Sequence, residues 1–217
     1  MADIFQEVDE EVRREQLKKL WQRYGNYIIA ACVLVIVAVG AWRGHDWWQT
    51  RKAAESGAAF EEAVTLAEAG KGQEAEAAFA KLANDGTAGY RVLARLREAA
   101  ELAPIDRQAA VKAYEEIAAD RGAGQVIQDL ATLRAAYLLV DSSSYTDLRA
   151  LLEPLTGSQR AFRYSARELL ALSAWKHGDM SAARQWADMI ITDPQSPQAA
   201  RSRAEVLSEL IAASGKG

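Results

Sequence analysis

With 217 residues, 26 Lys/Arg against 30 Asp/Glu, a net charge of −4 and a pI near 5.4, the chain lacks the clustered positive charge of a nucleic-acid-binding surface. Its lone cysteine, Cys32, excludes an internal disulfide, and no Cys/His cluster offers a metal site. Half of the residues are hydrophobic, alanine is abundant, prolines number four and alternating β-branched runs are missing, so an all-α chain is expected.

Residues 1–23 carry Asp9-Glu-Glu11, Arg13-Arg-Glu15 and Lys18-Lys19 among Phe5, Val8, Val12 and Leu20. That apolar spacing fits an amphipathic helix, expected in the cytoplasm. Gly25 to Trp42 is uncharged, and Ile28–Ala41 holds eight Ile, Val or Leu residues. At roughly −0.3 to −0.6 kcal/mol each near a bilayer centre, these supply about −2 to −5 kcal/mol toward insertion. Eighteen helical residues reach roughly 27 Å, close to the hydrocarbon thickness. Trp21, Tyr24 and Tyr27 stand before the run and Trp42, Trp47 and Trp48 after it, where headgroup-level anchors are needed. A transmembrane helix over 24–43 is therefore expected. Val39-Gly-Ala41 would pass as a signal-peptide cleavage site, but the acid-rich lead and the Trp42 that follows at once fit a retained anchor better. Five Lys/Arg (Arg13, Arg14, Lys18, Lys19, Arg23) precede the span and three (Arg43, Arg51, Lys52) closely follow it. The asymmetry puts the N-terminus in the cytoplasm and residues 44–217 across the membrane, in the periplasm of a Gram-negative cell. Gly40 and Gly44 have the small-residue spacing of helix dimers, although Arg43 interrupts it.

Beyond the span an internal repeat emerges. Ala63, Leu66, Gly70, Ala75, Phe79 and Leu82 recur 108 residues later as Ala171, Ala174, Gly178, Ala183, Ala187 and Ile190. Between them stand Ala110, Tyr114 and Ile117, then Leu148, Leu152 and Leu155. The leading positions Ala75, Ala110, Leu148 and Ala183 are 35, 38 and 35 residues apart, the period of stacked helical hairpins. A small residue where two helices cross lets their backbones approach, and an apolar residue one turn later fills the space beside it. Gly70 and Gly178 mark chain reversals, Pro104–Asp106 and Asp141–Ser144 the equivalent middle turns. Asp193-Pro194 and Ser196-Pro197 set off a closing helix near 198–213. The expected architecture is one transmembrane helix followed by an α-solenoid of about four hairpins plus that helix.

Gly178-Asp-Met-x-x-Ala183 with Ala171 and Ala174 upstream, and Gly70-x-Gly-x-x-Ala75-x-x-x-Phe79, resemble tetratricopeptide repeats. The usual tryptophan, leucine-glycine and tyrosine of the first repeat helix are mostly missing. The order of segments, from Leu17-Lys-Lys-Leu-Trp21 through the span and Trp47-Trp48 to Ala58-Ala-Phe60, resembles the YfgM-type ancillary subunits of the SecYEG translocon in a bacterial inner membrane. That resemblance implies association with SecYEG and with a PpiD-type periplasmic chaperone, in a scaffold rather than an enzyme. The alternative is an envelope-assembly adaptor or a regulatory protein of the same architecture.

Residues for chemistry are sparse. His45 adjoins the span and His177 precedes Gly178, neither with a second His or a Cys nearby. No catalytic residue, metal or cofactor is expected. A binding groove is expected along the first helices of the hairpins, with Arg95, Arg134, Tyr137, Tyr164 and Arg167 as its candidates.

Overall fold

The computed structural model describes residues 3–214; of residues 3–17, 19, 20 and 214 only the backbone is described. Of the amphipathic segment expected over residues 1–23, the side chains of 1–17, Lys19 and Leu20 therefore lie outside the described residues. Among these residues the secondary structure is helical throughout, with no strand. The first helix, α1, runs Asp3–Glu68 without a break. Its first proline would have come only at Pro104, and Gly25, Gly40, Gly44 and Gly57 are carried in the helix interior. No helix end marks residues 23/24 or 43/44. By contacts the chain divides into two compact units, Met1–Ala54 and Glu55–Gly217.

The second unit begins with the last turns of α1 and continues through α2 (Gly72–Asp85), α3 (Ala88–Leu102), α4 (Arg107–Ala119), α5 (Gln125–Leu139), α6 (Tyr145–Leu152), α7 (Arg163–Lys176), α8 (Met180–Ile191) and α9 (Gln198–Ser214). These pair as four hairpins, with α9 closing the array. All-helical architecture, hairpin number and closing helix thus follow the sequence expectation.

Two turns are built alike. Gly70 and Gly178 adopt φ of 74° and 81°, a conformation that costs glycine little. Gly70 N–H donates to Ala67 O and Lys71 N–H to Leu66 O, each at 3.0 Å. Gly178 N–H donates to Trp175 O at 3.1 Å and Asp179 N–H to Ala174 O at 2.9 Å. This pair of bonds satisfies carbonyls left over at a helix end and reverses the chain. Three of the second helices also start alike. Asp106, Ser144 and Asp179 accept from the backbone N–H three residues on, at 3.0, 3.2 and 2.9 Å. Each such cap contributes about 1 kcal/mol to its helix.

The second helices bury equivalent positions. Ala75, Ala110, Leu148 and Ala183 are sealed, as are Phe79, Tyr114, Leu152 and Ala187 four residues later. Phe79 packs edge-on against Phe60 of α1, with ring centroids 5.5 Å apart, within a cluster holding Ala63, Leu82 and Ala94. At the other end Leu148, Leu152, Leu169, Leu170, Trp186 and Ile211 share one larger core. Here α7 touches both α5 and α9, so first helices lie side by side and α7 is wrapped from several directions.

Candidate functional site

Neighbouring hairpins present matching stripes to solvent. On α5 the stripe holds Val126, Arg134 and Tyr137; on α7, Glu168, Leu172 and Lys176; on α9, Arg203, Val206 and Leu210. Ion pairs tie these stripes in register. Lys176 Nζ lies 2.9 Å from Asp141 Oδ1, and Arg203 grips both Glu168 oxygens at 2.6 and 2.8 Å. Partners in both pairs stand 35 residues apart, so the sequence period reappears as a physical contact between adjacent repeats.

Charges on these stripes feel one another. Burial pushes the Tyr137 phenol above its usual range; Glu168 adds to the shift, and Arg203 and Arg134 oppose it. Burial likewise raises Tyr114, against Arg134 and Arg97. Arg97 of α3 is therefore close enough to share a field with Arg134 of α5, and Leu93, one turn before it, is exposed. The face as a whole combines arginines with scattered apolar side chains. A surface of that kind holds a polypeptide through forked hydrogen bonds and apolar contact.

The five residues expected in the groove separate. Arg134 and Tyr137 stand together and open on α5. Arg95 is half-buried and donates from Nη1 to Asp120 at 2.7 Å, joining α3 to the end of α4. Tyr164 is half-buried: its ring lies 4.3 Å from the Arg163 guanidinium and its hydroxyl accepts from Arg163 at 2.8 Å. Arg167 lies inside the domain, only 6% exposed, rather than on a groove. It donates to Met189 O at 3.0 Å and Thr156 O at 2.9 Å, and sits 3.4 Å from Asp193. Its fork therefore ties the end of α8 to the loop before α7. The same loop is held by Arg160, which donates to both oxygens of buried Asp129 at 3.1 and 3.2 Å. Arg203, Leu172, Val206 and Leu210 belong to the open face without having been singled out. Arg203 and Leu172 stand 35 residues beyond Glu168 and Tyr137, which was the available cue; Val206 and Leu210 stand 35 beyond buried Ala171 and half-buried Trp175, so the period offered none for them.

In the first unit, α1 contains an 18-residue window of mean hydropathy 2.1, of which 6% is buried. One helix is thus long and apolar enough to cross a membrane. The expected anchors Trp21, Tyr24, Tyr27, Trp42, Trp47 and Trp48 are all exposed. Lys52 Nζ lies 4.2 Å from the Trp48 ring centroid, and Arg51 lies 5.6 Å from that of Trp47. A side chain at Gly40 or Gly44 would meet nothing within 4 Å. His45 contacts Gln49 at 3.0 Å, while His177 Nδ1 is 2.8 Å from Ser173 O at the end of α7. Among the described residues no group of three or more His, Cys, Asp or Glu gathers to hold a metal.

Stacked hairpins with an open arginine- and tyrosine-bearing face define a helical-repeat module of the protein-interaction class. A family model described as the tetratricopeptide repeat-like domain matches residues 18–201, taking in the apolar segment as well as the hairpins. The chain belongs to that family, whose repeats typically serve protein interaction rather than catalysis. None of the curated proteins and none of the solved structures compared with it matches.

Proposed function

We propose that this chain is a membrane-anchored scaffold associated with a bacterial Sec translocon, linking it to a periplasmic chaperone or to emerging polypeptide. Residues 24–43 form the span and 1–23 the cytoplasmic lead. Residues 44–217 form the periplasmic domain, in which Ala63, Gly70, Ala75, Phe79, Ala110, Tyr114, Leu148, Leu152, Gly178, Ala183 and Ala187 set the repeat packing. The observation that carries this reading is the open face of α5, α7 and α9, where the stripes are locked in register by Asp141–Lys176 and Glu168–Arg203. Tyr137, Leu172, Val206 and Leu210 are partly exposed on the same three helices as Arg134 and Arg203. Placing this face and the translocon in one membrane raises their effective concentration, so modest affinity suffices. The SecYEG and PpiD-type partners come from the resemblance in segment order.

Crosslinking probes introduced separately at Val35 and Arg134 of the full chain test the proposal in cells. Val35 should capture a SecY-type subunit, and Arg134 a periplasmic chaperone or a translocating chain. Adducts to outer-membrane or cell-wall machinery at Arg134, with no translocon adduct at Val35, would refute it. Protease added outside spheroplasts should digest residues beyond 44 and spare the lead.

A further inference from the structure

Directly beyond the apolar run, α1 carries Ala41-Trp-Arg-Gly-His-Asp-Trp-Trp-Gln-Thr-Arg-Lys52. At 100° per residue, Arg43, Trp47 and Arg51 form one row and Gly44, Trp48 and Lys52 the adjoining row. The one acid in the segment, Asp46, falls in the row of Trp42 and Thr50, where its backbone carbonyl accepts the Thr50 hydroxyl at 2.8 Å. Arg43 and Lys52 are nine residues, about 180°, apart, so cations and indole rings alternate around half of the helix circumference, with Asp46 about 60° beyond Arg43. A side chain at Gly44, in the second of these rows, would meet nothing within 4 Å, which leaves room for a headgroup against the backbone.

Side-chain direction fixes which way the face points. Every Cα–Cβ bond on a helix tilts toward the N-terminus. On a helix leaving a bilayer C-terminally, cations therefore lean back toward the lipid; on the lead before the span they lean away from it. Lys52 shows this directly, since its ammonium rests over the ring of Trp48, one turn back, at 4.2 Å. Trp47 follows Arg43 by about 6 Å of rise, within a headgroup layer roughly 5–8 Å deep. Indole rings favour that layer, and a cation held over them is delivered to phosphate depth.

We propose that the face of Arg43, Trp47, Trp48 and Lys52 binds anionic phospholipid headgroups in the leaflet through which α1 leaves the membrane. This inference rests on the membrane-anchored reading above. It runs against the simple charge count, which puts the larger cationic cluster at the other end of the span.

The test uses the full chain in phosphatidylcholine vesicles doped with spin-labelled phosphatidylglycerol or spin-labelled phosphatidylcholine. The motionally restricted fraction of each label gives a selectivity ratio. A ratio of about two to five is expected at low salt, falling as salt shortens the screening length. Arg43→Gln with Lys52→Gln should bring the ratio close to unity, while Lys18→Gln with Lys19→Gln should leave most of it. Equal restriction of both labels, or loss of selectivity only with the Lys18 and Lys19 changes, would overturn the inference and leave the anchor standing. Absence of restricted lipid of either kind would overturn the anchor as well.

Discussion

The two units use the same aliphatic side chains in opposite ways. In residues 55–217, Ile117, Leu152 and Ile190 are 1% exposed or less; in the first unit, Ile36 and Val37 are 70% and 64% exposed. Hydropathy alone does not separate these cases. What separates them is spacing: the repeat region places small or apolar residues three and four apart with polar residues between, so each helix has one face for a neighbour. The run from Ile28 to Ala41 is apolar all round and has no polar face to leave in water. Left in water, eight such side chains would forgo on the order of 10 kcal/mol of burial, which favours the membrane-anchored reading proposed above.

That contrast is broken most directly at its apolar end. Changing Val35 and Ile36 together to Lys adds about 5–7 kcal/mol against insertion, more than the run contributes in favour. The variant should leave the membrane fraction in a carbonate wash that retains the parent chain. Truncations sharpen the comparison further. Phe79→Ala opens a cavity against Phe60 and should cost about 3–5 kcal/mol, whereas Val35→Ala should leave the unfolding midpoint unmoved. Denaturant titration in detergent, followed by the emission of Trp175 and Trp186, reads both.

How far the sequence carried depends on the range of the interaction. Hairpin ends were legible because Gly70 and Gly178 solve a local problem, positive φ at a chain reversal, with the same bonds 108 residues apart. The caps at Asp106, Ser144 and Asp179 are local in the same sense. Arg167 was not legible. Arginine on a helix usually faces water, and only the convergence of α7, α8 and the preceding loop puts this one inside. The boundary at Glu55 was equally hidden, because no helix break accompanies it. Arg134 and Tyr137 show the intermediate case: their exposure follows from the stripe pattern, but the charges that act on Tyr137, Glu168 and Arg203, come from later helices.

The arginine ties set the next effect down. Arg167→Met keeps the apolar stem but leaves Met189 O and Thr156 O without that donor, and should cost about 2–3 kcal/mol. Arg134→Met, on the open face of α5, should change stability by less than about 0.5 kcal/mol while weakening partner capture. A variant pair that lost equal stability would erase the distinction between tie and open face.

The smallest effect is a pH dependence centred on α3. Burial raises the Glu98 carboxyl above its ordinary range; Glu76 and Glu116 add to the shift and Arg95 opposes it. A carboxyl whose folded pKa exceeds its unfolded one binds more protons in the folded state between those two values. Stability therefore falls as pH rises through that window, opposite to the behaviour of Asp193. Asp193 is held low by the Gln195 N–H and the Tyr164, Arg167 and Arg163 side chains against a smaller desolvation, and its contribution is lost on acidification. Glu98→Gln removes the unfavourable charge but keeps the side-chain shape. Its unfolding midpoint should exceed the parent's slightly at pH values near 7 and converge with it by about pH 3, where the parent's carboxyl is neutral in both folded and unfolded chains. A gain that persisted unchanged into acid would mean that the amide had improved packing and that the three glutamates do not repel.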